Sequence, residues 1–387
     1  MEEHQVVVSC IGALHHPSFP RVPSGLSAFK GPYMHSTRWD QDVDLKGKKV
    51  VVVGSAASAV QIVPLICDDA EKVTILQRTP NWITPQKHPT LPFNMKYGSI
   101  AKFLFRWVPG LIQLHRYSIY IAHETFFLSG AFDNPNSSRT SKMVSNHAIG
   151  LISTHMKKEL GNDEKLCHKM IPDFPVGCKR VLRHETFLKC CTREDVEVHP
   201  FGLQDVRAHS IIASDGREIE ADVIIYATGF KVGSVGDTRI IGTQKNNIIT
   251  GTKIVDDAVP TYLGIANPEY PNAFFCLGPN TGLGHNSIIL FSESQAEHIA
   301  RVIGEMADNH IKVVTVNQKK MDNHMEWVWK TMEHRVWPNN CSSWYQNKHG
   351  KVTTLWPSNT PTYMWMCKIS GLDCYDVHNL DEMGANL

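Results

Sequence analysis

Four consecutive valines, Val50 to Val53, run directly into Gly54, and this junction constrains the fold more than any other feature of the chain. A strand with no polar alternation is buried on both faces, as at the centre of a parallel sheet. Parallel strands need crossovers. The apolar helical stretch 57–66 and the second apolar run 72–77 complete a unit of 31 residues, 48–78, the size of one βαβ module. The expected fold class is therefore α/β. The residues Gly54-Ser55-Ala56-Ala57-Ser58-Ala59 form a degenerate G-x-A-x-x-A at a strand-to-helix turn, where a dinucleotide fingerprint belongs. Gly54 suits the tight turn, Ala56 stands where backbone approaches a pyrophosphate, and Ala59 still lets helix and strand pack. Gly54, Ser55, Ala57 and Ser58 are candidate cofactor contacts. A strand, turn and helix without a ligand would carry the same pattern.

The end of the second strand bears on which dinucleotide. An Asp or Glu there would bond a ribose 2′-hydroxyl and repel a 2′-phosphate. This chain has Gln77-Arg78-Thr79, with Arg78 24 residues after Gly54. A guanidinium forks onto a phosphate with charge-assisted bonds, so Arg78 and Thr79 point to NADP(H) rather than NAD. A solvated arginine at a strand end is the alternative.

A length of 387 residues predicts about two domains. Lys and Arg total 39 against 38 Asp and Glu, with no basic stripe, which excludes a nucleic-acid partner. Ten cysteines are scattered without a C-x-x-C, and 20 histidines without H-E-x-x-H, so no metal site is expected and the thiols are read as free. No signal peptide is recognisable at the N-terminus and no stretch suits a spanning helix, which together predict a cytoplasmic protein. The aromatic segment 103–127 is interrupted by Arg106, Pro109, Arg116 and Glu124. It is expected to be a helical insertion packed on its domain, in preference to a helix making peripheral membrane contact. Residues 90–170 read as mostly helical. Strand-like runs return at 196–199, 211–212 and 223–226, with Asp215-Gly216 as a hairpin turn, and helices are expected over 294–307 and 321–332.

The run Phe29-Lys30-Gly31-Pro32-Tyr33-Met34-His35-Ser36-Thr37-Arg38-Trp39-Asp40 has the form F-x-G-x-x-x-H-x-x-x-W-D, five fixed positions in twelve. It resembles the fingerprint of Baeyer–Villiger monooxygenases, relatives of the flavin-containing monooxygenases, and Trp39-Asp40 favours the Baeyer–Villiger side. Further blocks are similar to the same family: Gln77-Arg78-Thr79-Pro80, Gly177-Cys178-Lys179-Arg180, Ala227-Thr228-Gly229-Phe230, the glycine-rich stretch from Gly278 to Ser287, and Cys341-Ser342-Ser343-Trp344-Tyr345.

The resemblance implies two Rossmann-like, three-layer nucleotide-binding domains with a mostly helical insertion. Residues 1–47 would be a remnant of the FAD-binding domain and linker. Residues 48–221 would bind NADPH and carry the insertion at about 90–170, and residues 222–387 would complete a discontinuous FAD domain. It implies an NADPH- and FAD-dependent monooxygenase that inserts one oxygen of O2 into a small-molecule ketone through a C4a-peroxyflavin. The alternatives are N- or S-oxygenation of an amine or sulfide, and an inactive fragment. Arg180 would be the catalytic cation beside an anionic peroxide, its charge persisting because a guanidinium does not usefully deprotonate. Lys179 would join Arg78 at the NADPH phosphate. Thr228, Gly229, Asn286 and Ser287 would face the cofactors, with free backbone N–H groups at the flavin edge. Trp344 would lie over the nicotinamide end. Phe29, Gly31, His35, Trp39 and Asp40 would form the linker, with His35 organising it rather than moving protons. Lys179 and Arg180 read alone are solvated charges, and Trp344 read alone is a core tryptophan. The family's first G-x-G-x-x-G unit lies before its F-x-G motif, and only 28 residues precede Phe29 here. The expectation is an incomplete FAD domain: a colourless, aggregating chain without NADPH-dependent oxygen uptake, in which strands 6–9 and 223–226 each expose an edge.

Overall fold

A computed structural model of the chain describes residues 4–85, 97–232, 239–241, 248–250, 259–338 and 342–378. The chain divides into two units. One holds Pro17–Lys87 and Ser145–Phe230; the other holds Met1–His16, His88–Val144 and Lys231–Leu387.

The first unit is built on a five-stranded sheet of β1 (Tyr33–His35), β2 (Lys49–Val53), β3 (Lys72–Leu76), β4 (Val196–His199) and β5 (Val223–Tyr226). Its order is β1-β5-β2-β3-β4, and every pairing is parallel. The valine strand is central, as its unbroken apolar run demands. Val50 to Val53 are at most 6% exposed, each contributing roughly 1.5–3 kcal/mol of burial. Helix α1 (Ala57–Ile66) crosses from β2 to β3. An antiparallel meander, Leu203–Val206, Ser210–Ala213 and Glu218–Glu220, packs on this sheet. Val206, Ile211 and Ala213 meet Phe29, Val51, Leu76 and Ile224.

Three expectations are revised. Val223–Tyr226 exposes no edge: it pairs with β1 on one side and β2 on the other and is wholly buried. The same pairings draw residues 17–47 and 222–230 into the first unit, so its limits fall at 17 and 230 rather than 48 and 221. The third concerns the insertion. Helices α2 (Ser99–Trp107) and α3 (Leu111–Phe126) belong to the second unit and bury only Ala101 and Glu124 among their residues. They are not packed down on their apolar faces. Helix α4 (Arg139–Glu159) spans the division between the units, so the insertion is not one element of one domain.

The second unit has its own core. Helix α5 (Ile288–Asp308) presents Phe291, Ile299, Val302 and Met306 inward at helical spacing. Phe291 stacks on Tyr363 with ring centres 3.8 Å apart, and Trp356 closes edge-on against both. The strand Val7–Ser9 pairs in parallel with Ala273–Phe275 and leaves Val7 57% and Val8 40% exposed. Among the described residues no helix is long and apolar enough to cross a membrane, and no cluster of side chains could hold a metal ion. Eight described cysteines are free, but Cys178 is disulfide-bonded, which corrects the free-thiol reading there.

Candidate functional site

The site in the first unit starts at the turn after β2. Gly54 sits at φ 112°, and a Cβ there would come 2.5 Å from the Ala227 carbonyl oxygen, so no other residue fits the turn without displacing backbone. Helix α1 then begins at Ala57 with Ala56 as N-cap and no side chain capping it. The first N–H groups of a helix have no intrahelical acceptor, and the Ala56 N-cap offers those of α1 no side-chain acceptor. Ser55 is buried; its Oγ donates to the Thr79 carbonyl at 3.3 Å, and Asn81 Nδ2 donates to the Ser55 carbonyl at 3.2 Å. These two bonds tie the glycine turn to the turn that follows β3 and carries Arg78. Asn81 escaped the sequence reading; its one signal was its place two residues beyond Thr79.

Lys179 comes beside Arg78 although 101 positions separate them. Ile83–Thr84 pairs in parallel with Leu182–Arg183. The Leu182 N–H donates to the Trp82 carbonyl at 2.8 Å, and the buried Trp82 indole donates to the Phe174 carbonyl at 3.0 Å. Lys179 Nζ lies 5.1 Å over the Phe174 ring. Burial first, and then the Arg78 charge, lower the Lys179 pKa, with Asp173 acting the other way. Among the described residues no carboxylate forms an ion pair with Arg78, Lys179 or Arg180. Two like charges are thus held together with no ion-paired carboxylate, Asp173 acting on Lys179 only at longer range. Arg180, next in the chain, is solvent-exposed.

The F-x-G-x-x-x-H motif acts on the same unit. Phe29 is buried in the core under the meander. A Cβ at Gly31 would collide with the Asp222 carbonyl and the Phe29 ring. His35 is 1% exposed, with Nδ1 accepting from the Thr37 N–H at 3.2 Å and Nε2 donating to the Gly229 carbonyl at 3.1 Å. Burial lowers its pKa against the opposing bond to Gly229, and the Arg38 charge adds to the lowering. Thr228 Oγ1 donates to the Ser18 carbonyl at 2.5 Å, and the Ser18 N–H donates to the Gly229 carbonyl at 2.9 Å. His35, Thr228 and Gly229 thus fasten the crossing segment to the strand ends. Asp40 accepts from the Asp42 N–H, and Trp39 is 39% exposed.

In the second unit part of the stretch expected at the flavin is engaged within the fold. Ser287 caps α5 by accepting from the Ile289 N–H, and its own N–H donates to Asn286 Oδ1. Those N–H groups are not free. Asn286 Nδ2 donates to Glu124 Oε1 at 2.7 Å, beside His285 Nε2 at 3.2 Å, while the Thr360 N–H reaches Oε2 at 3.1 Å. Burial alone would raise the Glu124 pKa; the bonds from His285, Thr360 and Asn286 override it and hold the carboxyl at about 2. In the sequence Glu124 stands out only as an interruption of the aromatic segment, although a lone acid inside an apolar helix is a signal. Trp344 is 47% exposed, its ring 4.6 Å from that of Tyr345, which does not fit a core tryptophan. Cys341 of the same motif lies outside the described residues.

A profile of flavin-binding monooxygenase-like proteins matches residues 2–129. A Baeyer–Villiger monooxygenase of Streptomyces coelicolor is 32% identical over 366 residues, covering 92% of this chain and 66% of the relative. A Baeyer–Villiger monooxygenase of Pseudomonas aeruginosa is 32% identical over 357 residues, covering 92% and 64%. The chain belongs to the flavin-binding monooxygenase-like family. It spans just under two thirds of the length of these two relatives. Family membership accords with an F-x-G-x-x-x-H motif that joins β1 to the strand-end turn at Gly229. In fold, the chain is similar to the crystal structure of OTEMO in complex with FAD and NADP, with a TM-score of 0.76 at 24% identity over 97% of this chain and 75% of that one. This agrees with the expected α/β class and Rossmann-like units.

Proposed function

We propose that the protein is an NADPH- and FAD-dependent monooxygenase of the Baeyer–Villiger type, acting on a small-molecule ketone with O2. The observation that carries the nicotinamide half is the Arg78–Lys179 pair, ion-paired to no carboxylate among the described residues, beside the Gly54 turn. NADP(H) fits these residues: the two cations take the 2′-phosphate, and the uncapped start of α1 takes the pyrophosphate through the N–H groups of Ala57 and Ser58. Ser55 and Thr79 hold the two turns in register. Arg180 adds an exposed guanidinium next to Lys179.

The ketone reading rests on the Trp39-Asp40 ending of the motif and on the Baeyer–Villiger names of the relatives. FAD enters through relatives too, one of which is named an FAD-binding monooxygenase. The Ser287 and Ile289 N–H groups are taken up at the start of α5 and the Asn286 side-chain amide by Glu124, which leaves the Asn286 backbone N–H for the flavin. When bound, the nicotinamide supplies hydride and the flavin supplies oxygen activation. The residues of this chain bind, orient and hold charge. Arg180 and Trp344 are proposed for the reacting end.

The test is NADPH oxidation coupled to ester formation from a ketone panel, with FAD supplied and an amine and a sulfide as competitors. Ester formation that falls with Arg180→Ala while NADPH affinity holds supports the reading. Oxygenation of the amine or sulfide alone would replace the ketone, and NADH used as well as NADPH would remove the cofactor assignment.

A further inference from the structure

We infer that the α2–α3 hairpin is a docking surface for an anionic phospholipid bilayer. Helix α2 sets Ile100, Phe103 and Trp107 at i, i+3 and i+7, and α3 repeats this with Leu114, Tyr117 and Ile121. These stripes face solvent. Ile100 is 76% exposed, Trp107 63% and Leu114 65%. An amphipathic helix in a globular protein turns its apolar face to the core; these two do not, and they bury only Ala101 and Glu124. An apolar hollow of about 360 Å³ lies between them, lined by Tyr97, Phe105 and Leu111 with others.

Charge identifies the occupant. No Asp or Glu occurs between Glu71 and Glu124, and Glu124 is itself buried. Lys102, Arg106 and Arg116 are all exposed on the hairpin, and the Arg106 guanidinium lies 5.5 Å over the Trp107 ring. Exposed aromatic and aliphatic side chains in a segment that carries cations and no exposed acid match an anionic headgroup layer over hydrocarbon. A protein partner gripping the same face would need its own acids around an apolar centre, and a second copy presents cations to cations. The helices are 9 and 16 residues long, so they lie in the interface rather than cross it.

The experiment is cosedimentation of the protein with vesicles of phosphatidylcholine alone or mixed equally with phosphatidylglycerol. Binding is expected to the anionic vesicles and to be released by about 0.5 M salt, which shortens the screening length to a few ångströms. Lys102→Glu with Arg106→Glu should weaken it by roughly thirty-fold or more, at about fivefold per charge. Phe103→Glu should abolish it; Phe103 is 61% exposed, so the change removes no core contact, and circular dichroism checks the fold. Lys157→Glu with Lys158→Glu, at the far end of α4, should leave binding unchanged. Equal binding to both vesicle types, no binding, or equal losses in the two charge-reversed pairs would overturn the inference. So would a self-association in sedimentation velocity without lipid that Phe103→Glu dissolves, since the face would then be a protein interface.

Discussion

At the scale of single residues, charge without an ion-paired carboxylate is the informative quantity. Arg78 and Lys179 repel each other and are kept together by Trp82 and the short parallel pair it leads into. Hydrogen bonds to a charged group contribute about 1.5–3 kcal/mol. Arg78→Ala is therefore expected to weaken NADPH binding by roughly ten- to hundred-fold and to leave NADH nearly unchanged, as read by titration with each cofactor. A parallel loss for both would mean that the substitution had disturbed the turn rather than removed a phosphate contact. Arg78 was legible in the chain because a strand end is a fixed distance from the glycine turn. Its partnership with Lys179 was not legible by spacing, since 100 residues and a tertiary pairing lie between them.

At the scale of elements, two junctions carry large effects. Gly54→Ala forces a Cβ against the Ala227 carbonyl at φ 112°, and strain of this kind amounts to roughly 1–3 kcal/mol. Thermal melting should show that loss even without cofactor. The second junction is Glu124, which joins the end of α3 to the turn at His285 and Asn286 and to the start of the helix Thr360–Ile369. Glu124→Leu strands three donors in a buried place and is expected to destabilise the unit by about 3–5 kcal/mol. The carboxyl is held at about 2, below its ordinary 4.5, so its stabilisation is present above pH 4.5 and lost as the pH falls towards 2. Glu124→Gln should lack that acid step in melts taken across the same range. The glycine was readable from local sterics; the carboxylate's partners come from segments far apart in the chain.

At the scale of the whole molecule, buried histidines with lowered pKa values bear on the acid limit. Burial lowers the pKa of His35 in the first unit and of His298 and His324 in the second. His324, packed beside Trp327 and Trp356, falls to about 4 from 6.5. The unfolded chain binds the proton first, so stability is intact above pH 6.5 and declines as the pH drops from there towards 4. Denaturant titrations at a series of pH values should show that decline. His324→Phe should remove up to roughly 3 kcal/mol of it, from a shift of about 2.5 pH units. An unchanged slope would mean that His324 is protonated in the folded protein. This step precedes the Glu124 step on acidification, so the two can be read apart.

What the chain determined alone is local. The valine run followed by glycine dictates a buried strand and a tight turn through hydrophobic periodicity and the missing Cβ, and β2 and α1 begin and end as that pattern requires. The charge at Arg78 follows from position, and the F-x-G-x-x-x-H run carries the family resemblance. Tertiary structure alone decided the rest. It gave Val223–Tyr226 two neighbours where an open edge was expected, because strand pairing joins segments whose separation no local pattern encodes. It turned the apolar faces of α2 and α3 outward, although amphipathic spacing shows only that a face exists and not what covers it. It also closed Asn286 and Ser287 on Glu124 and on their own helix, because a buried carboxylate draws in whatever donors the fold brings within reach.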